Sequence, residues 1–141
     1  MTNTIHVDIV SAEREIYSGE AQMVFAPAEM GEVGIAPGHA PFVTKMAPGE
    51  VRVKDQEGNE SAFYVSGGLL EVQPKVVTVL SDTALRAEDL DEAAILKARE
   101  DAEHAFHEKD AQIDYATAKA ALVETAAQLQ AIQRLRKRAG R

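Results

Sequence analysis

Between residues 5 and 10, the apolar positions Ile5, Val7 and Ile9 alternate with His6 and Asp8, the period of a strand with one buried face. Similar runs predict strands at residues 14–17, ending at Ser18-Gly19, and at residues 21–26, where Met23 and Phe25 share a face and Pro27 halts the run. Val33, Ile35, Phe42 and Val43 supply core contacts between turns, and residues 51–54 alternate cleanly. Gln56-Glu57-Gly58-Asn59 makes a polar hairpin turn, and residues 61–66 return with Phe63 and Val65 inward. Gly67-Gly68 interrupts the alternation as a bulge or a close backbone approach does, and residues 69–73 and 76–80 then form a last strand pair. Many short strands, each with one apolar face, leave no room for βαβ units. They predict a β-sandwich or flattened barrel over residues 1–84.

After Ser81-Asp82-Thr83 the period lengthens. Asp89-Leu90-Asp91-Glu92 reads as a capping box, with Asp89 accepting from the third helical amide and Glu92 reaching back. The helix it opens carries Ile95, Ala98, Ala102 and Ala105 at spacings of three and four, widened by Phe106, and fades over residues 107–110. A second helix over residues 114–137 repeats the spacing with Tyr115, Ala118, Leu122, Thr125, Leu129 and Ile132. The fold class is therefore α+β, with an antiparallel sandwich followed by an antiparallel two-helix hairpin at residues 85–141. Alanine seams let helices approach closely but bury little, at roughly 0.8 kcal/mol per methylene. Such a hairpin rests on the sandwich or on a partner, and the two options differ by only a few kcal/mol.

Residues 31–44, GEVGIAPGHAPFVT, concentrate turn chemistry. Ala36-Pro37-Gly38-His39 places Pro and Gly at the two central positions of a type II turn, and Ala47-Pro48-Gly49-Glu50 repeats that pattern. His39, held between Pro37 and Pro41, and Glu32 are thereby fixed on a rigid surface loop, the kind of place where partner contacts lie.

Composition narrows the functional classes. The 141 residues contain no cysteine, which removes disulfides and thiolate chemistry. No apolar stretch approaches the ~20 residues of a membrane-spanning helix, so membrane association comes through a partner. Residues 1–84 carry 5 basic and 12 acidic side chains, residues 85–133 carry 5 and 11, and residues 134–141 carry 5 and none. The acidic body argues against nucleic acid. The basic end, with Arg134, Arg136, Lys137 and Arg138, suits either an acidic partner surface or the negative end of a helix dipole.

No catalytic constellation, cofactor site or metal site emerges. Residues 31–39 lack the Gly-Lys-Ser/Thr ending of a phosphate loop. Ser66 precedes Gly67-Gly68 without the upstream glycine or nearby histidine base of a nucleophile, so the glycines read as structural. His104 and His107 lie three apart on the first helix but lack a third ligand. Helix capping accounts for Glu88, Asp89, Asp91 and Glu92.

Three segments together, GEVGIAPGHAPFVT, VSGGLLEVQP at residues 65–74 and LDEA at residues 90–93, resemble the epsilon subunit of bacterial F-type ATP synthases in one register from about residue 5 to residue 135. The resemblance implies a ten-stranded sandwich that docks to the rotor and a mobile helical hairpin that brakes ATP hydrolysis. The subunit would be noncatalytic, lying in the central stalk on the cytoplasmic face of the bacterial inner membrane and helping to couple proton flow to ATP synthesis. Its implied partners are the gamma subunit, the c-subunit ring and, in the extended state, the beta subunit. Glu32 then faces the c ring, His39 the gamma subunit, and Arg134, Arg136, Lys137 and Arg138 an acidic segment of beta. Some members of the family bind ATP through Ile/Leu-Asp-x-x-Arg-Ala, and here Ala94 stands in place of the arginine, so weak or no ATP binding is expected. No Arg- and Ser-rich leader is evident, which favours a bacterial over a mitochondrial member. The reading that competes with this one is a protein-binding adaptor or scaffold module outside the ATP synthase.

Overall fold

The computed structural model describes the backbone of residues 3–107 and 115–139 and the side chains of residues 3–103 and 117–138. Ten strands come first: β1 (Ile5–Ser11), β2 (Glu15–Ala21), β3 (Met23–Ala28), β4 (Gly31–Ile35), β5 (Phe42–Met46), β6 (Gly49–Lys54), β7 (Glu60–Val65), β8 (Gly68–Val72), β9 (Val76–Ser81) and β10 (Ala84–Arg86). A 3-10 turn at Ala87–Asp89 leads to α1 (Glu92–His107), and α2 (Tyr115–Ala139) follows. The chain forms two compact units, Met1–Ala87 and Glu88–Arg141.

In the first unit, one hydrogen-bonded path runs β10-β7-β6-β3-β5-β8-β9-β1-β2, and β4 pairs with β3 beside it. All pairings are antiparallel except β1 with β9, which run parallel from His6↔Val76 to Ser11↔Ser81. One face of this path closes on a single core, in which Ile5, Val7, Ile9, Val24, Ile35, Val51, Phe63, Val65, Leu70, Val77 and Val79 are fully buried. The sandwich thus follows from the alternation: each strand contributes its apolar face, and only a sheet folded on itself brings those faces together.

Several local expectations need correction. Pro27 does not halt β3. It lies where the neighbour of β3 changes from β6, paired at Met23–Phe25, to β5, paired at Ala28, so no ladder requires its missing N–H. The buried face of β3 is Val24, Ala26 and Ala28, and Met23 and Phe25 are only half-buried on the other face. Strand β2 passes through Ser18-Gly19 rather than ending there, and a Cβ on Gly19 would come within 2.8 Å of the Tyr17 hydroxyl. Val43 is 61% exposed instead of buried. Ala47-Pro48-Gly49-Glu50 bends the chain at Pro48 but is not a type II turn, because Gly49 does not adopt positive φ. A tenth strand, β10, follows the pair expected to be last and joins β7 through Ala84↔Val65.

The second unit holds the hairpin. Asp91, not Asp89, caps α1: its Oδ1 accepts the Ala94 amide at 3.3 Å, while Asp89 ends the preceding 3-10 turn. Ile95, Leu129 and Ile132 form the apolar centre, with Leu90 packed against it. Ala102, Ala118 and Thr125 are also buried, whereas Ala98 is exposed and lies off the seam. Thr125 satisfies its hydroxyl by donating to the carbonyls of Ala121 and Leu122. The expected fading of α1 over residues 107–110 falls largely outside the described residues, as do the side chains of His104, Ala105, Phe106, His107 and Tyr115.

Candidate functional site

The Pro-Gly turn after β4 has the predicted geometry. Gly38 has φ 82°, and the His39 amide donates to the Ala36 carbonyl at 3.2 Å. The Gly38 amide donates to Pro74 of the β8–β9 turn at 2.8 Å, tying the two loops together. His39 is half-buried rather than fully exposed. Its Nδ1 lies 2.7 Å from the Ala40 carbonyl, and its ring lies 5.3 Å from that of Phe42. Because a carbonyl only accepts, Nδ1 carries the proton and Nε2 is the atom left for a partner.

Glu32 is exposed on β4, two residues beyond Met30, which is 97% exposed at the tip of the β3–β4 hairpin. Its Oε1 accepts from Arg52 Nη2 at 2.5 Å. Glu32, within β4, and His39, in the loop after it, therefore make their contacts with different residues.

A second surface was not anticipated. Across β5, β8, β9 and β1 the register sets Lys45 opposite Leu69, Leu69 opposite Leu80, and Leu80 opposite Val10. Leu69 and Leu80 are 39% and 40% exposed, and Val43 stands on the same outer face of β5. Val10, Leu69 and Leu80, with Ser11, Ala12, Gly68, Ser81 and Asp82, line an open groove of about 340 Å³. Val10, Val43, Leu69 and Leu80 each sit in an ordinary alternating strand, so the signal appears only when the strands are laid side by side.

The corner beside this groove is held by hydroxyls. Ser66 Oγ accepts the Thr83 amide at 3.1 Å and lies 3.2 Å from Ser81 Oγ, which donates to the Thr83 carbonyl at 2.9 Å. Ser66 is thus part of the β-corner rather than a nucleophile.

Farther along the outer face, His6 stands between two carboxylates. Nδ1 is 2.7 Å from Glu20 Oε2, Nε2 is 3.0 Å from Asp8 Oδ1, and Ser18 Oγ bridges to both Nε2 and Asp8. The hydrogen bond to Glu20, opposed by desolvation and helped by Asp8, raises the His6 pKa above 6.5. The charged imidazolium is therefore favoured by the fold. Its stabilising contribution is complete below pH 6.5 and is lost as pH rises through the raised value. An NMR titration is expected to place His6 above the value measured in Glu20→Gln, and equal values would refute the assignment.

In the helical unit, Arg134 and Lys137 are exposed, and Arg138 is half-buried. Arg136, although its side chain is 65% exposed, donates from both Nη atoms to the carboxylate of Glu92 at the start of α1. The basic end of α2 thus combines exposed charge at Arg134 and Lys137 with a clasp across the hairpin at Arg136. No described helix is long and apolar enough to cross a membrane.

Residues 4–87 match the family described as ATP synthase, Delta/Epsilon chain, beta-sandwich domain. The ATP synthase epsilon chain of Nitrosococcus oceani is 63% identical over 140 residues, spanning 99% of this chain and 100% of that one. The epsilon chain of Alkalilimnicola ehrlichii is 58% identical, spanning 99% of each. Among solved structures, a chain of the Euglena gracilis mitochondrial ATP synthase OSCP/F1/c-ring assembly shares the fold at a TM-score of 0.82 and 23% identity, covering 92% of this chain and 81% of its own. A chain of the Tetrahymena thermophila mitochondrial ATP synthase central stalk and c ring has a TM-score of 0.58 and 13% identity, covering 91% of this chain and 96% of its own.

Proposed function

The chain belongs to the ATP synthase epsilon chain family, and from that premise we propose that it is a noncatalytic rotor subunit that links gamma to the c ring and restrains ATP hydrolysis through its helices. The observation that carries this reading is the apolar row of exposed Leu69 and Leu80 with half-buried Val10, and exposed Val43 beside it, on an otherwise acidic sandwich. A row of this kind, rimmed by Lys45 and Asp82, has the make-up of an interface core and rim. It is the surface for gamma, and His39, in the loop tied to the β8–β9 turn at the other end of these strands, is a further gamma contact. Glu32, with Met30, is the edge for the polar loops of the c ring. Residues 1–84 are read as the docking domain and residues 85–141 as the regulatory domain. The chain reaches the cytoplasmic face of the inner membrane as part of the complex.

Regulation belongs to the hairpin, whose apolar centre among the described residues is Ile95, Leu129 and Ile132 with Leu90. So small a centre leaves folded and extended arrangements within a few kcal/mol of each other. Arg134, Arg136, Lys137 and Arg138 supply salt-sensitive attraction to acid on the beta subunit. Deleting residues 134–141 in the assembled enzyme is expected to raise ATP hydrolysis at least about twofold at low salt, since losing ~1 kcal/mol of attraction moves a two-state balance about fivefold. Unchanged hydrolysis would remove the basic end from the mechanism. An adaptor outside the synthase would not recover gamma and c-ring subunits from solubilised membranes, and recovery of both is the expected result.

A further inference from the structure

The outer face of β3, β4 and β6 holds a construction that a docking carboxylate does not by itself require. Gly34, Phe25 and Arg52 stand directly opposite one another across β4, β3 and β6. A Cβ on Gly34 would approach Met23 Cε to 2.9 Å and the Phe25 ring to 3.4 Å, so glycine there leaves room for the ring. The Arg52 guanidinium carbon lies 4.4 Å from the centroid of Phe25, and the side chain continues across β3 to reach Glu32. The Arg52 side chain is 24% exposed against 47% for Glu32, and its Nε is buried without a hydrogen bond. A planar cation stacked on an aromatic face and forked toward a carboxylate is a role that lysine does not reproduce.

Glu32 lies on a strand that pairs only with β3. A carboxylate on such an edge ordinarily retains rotamer freedom, and freezing it on binding opposes association. With Oε1 held by Arg52, that freedom is already reduced. Among the described residues Oε2 makes no hydrogen bond and is the acceptor that remains. The neighbouring guanidinium also lowers the net charge of the site, so the pair presents one oriented acceptor rather than a bare negative charge.

We propose that Arg52 is a positioning and specificity-determining residue for docking. It fixes Glu32 so that the β4 edge selects a partner loop offering N–H donors, amide or cationic, and disfavours one offering a carboxylate. This rests on the reading of Glu32 as a c-ring contact, and the test separates the two.

The full-length chain and its variants are titrated onto a detergent-solubilised gamma–c-ring subcomplex at low and at moderate salt. Arg52→Met keeps the stem over Phe25 and removes the fork. It is expected to weaken binding about tenfold, ~1.4 kcal/mol, while leaving the thermal midpoint of the sandwich near that of the parent. Glu32→Gln is expected to weaken binding similarly, and the double variant to be no weaker than either single variant, as for groups acting as one unit. Arg52→Lys is expected to fall between Arg52→Met and the parent. Should Arg52→Met fail to fold, parental affinity in Arg52→Lys overturns the proposal. Parental affinity in Arg52→Met with weakened Glu32→Gln overturns the role of Arg52 and leaves Glu32 as a contact. Additive losses in the double variant also overturn it. Parental affinity in Glu32→Gln overturns the docking reading itself, and the proposal with it.

Discussion

Replacing Gly68 with alanine is expected to destabilise the sandwich by about 3–5 kcal/mol, the sum of a left-handed backbone penalty and a steric clash that no side-chain rotation relieves. Gly68 has φ 117°, and a Cβ there would lie 2.0 Å from the Leu80 carbonyl oxygen and 2.9 Å from Ser81 Cα. Both neighbours are backbone atoms of β9, so relief requires separating β8 from β9. That pair holds Leu69↔Leu80 and Leu70↔Val79 together, and Leu70 and Val79 are fully buried. Gly31→Ala is the contrast, because its φ is also positive at 129° but no atom lies within 4 Å of the added methyl. It should cost only the backbone term, about 1–2 kcal/mol. Urea unfolding of the two variants measures the difference, and equal losses would show that the β8–β9 approach is not the tight point.

Replacing Leu80 with aspartate is expected to leave the isolated chain folded and to abolish its association with gamma. Leu80 is 40% exposed and flanked by Leu69 and Val10, so in the free chain the carboxylate meets water and the change costs under about 1 kcal/mol. In an interface that covers the row, the same charge is desolvated among apolar groups with Lys45 beyond Leu69 as the nearest cation in the register. Such a charge costs about 3 kcal/mol or more, which lowers affinity at least about a hundredfold. Leu80→Thr, which introduces the β-branching that suits a strand and removes the large apolar side chain without adding a charge, should lose less. Titration of the purified chain against gamma, with circular dichroism as the control for folding, checks both. An aspartate variant that binds like the parent would move the gamma contact to another face.

How far these surfaces were visible in the sequence depends on the range of the interaction that makes them. The Ala36-Pro37-Gly38-His39 turn was legible because proline and glycine restrict their own dihedrals, and Gly38 at φ 82° obeys that local rule. The same dipeptide at Pro48-Gly49 was misread. There glycine serves a packing need, since its Cβ would meet the Pro27 side chain at 2.9 Å, and nothing local distinguishes the two uses. The cap of α1 was displaced from Asp89 to Asp91 because both aspartates suit the role, and the 3-10 turn at Ala87–Asp89 claims the first. Strand β10 was missed because three residues carry too little alternation, and its evidence is the pairing of Ala84–Arg86 with β7.

The site residues divide along the same line. Glu32 and His39 stand out in the sequence because they lie in a turn-rich stretch, but the partner that gives Glu32 its geometry, Arg52, is 20 residues away on another strand. Arg136 was read as part of a basic end, and its clasp on Glu92, 44 residues earlier, depends on the helices lying antiparallel. The His6 cluster was invisible for a similar reason, since Glu20 and Ser18 reach it only across the β1–β2 pairing.

By itself, the sequence determined the strand and helix periods, the change of period after residue 83, the left-handed turn glycine at Gly38 and the acidic body with its basic end, because each is encoded in residues a few positions apart. The tertiary structure alone decided which outward residues become neighbours: Leu69, Leu80 and Val10 in one row, and Gly34, Phe25 and Arg52 in another. The physical reason is register. Alternation fixes which face of a strand is buried but not which residue lies opposite on the next strand, and that choice is made by the packing of the whole sheet around its core.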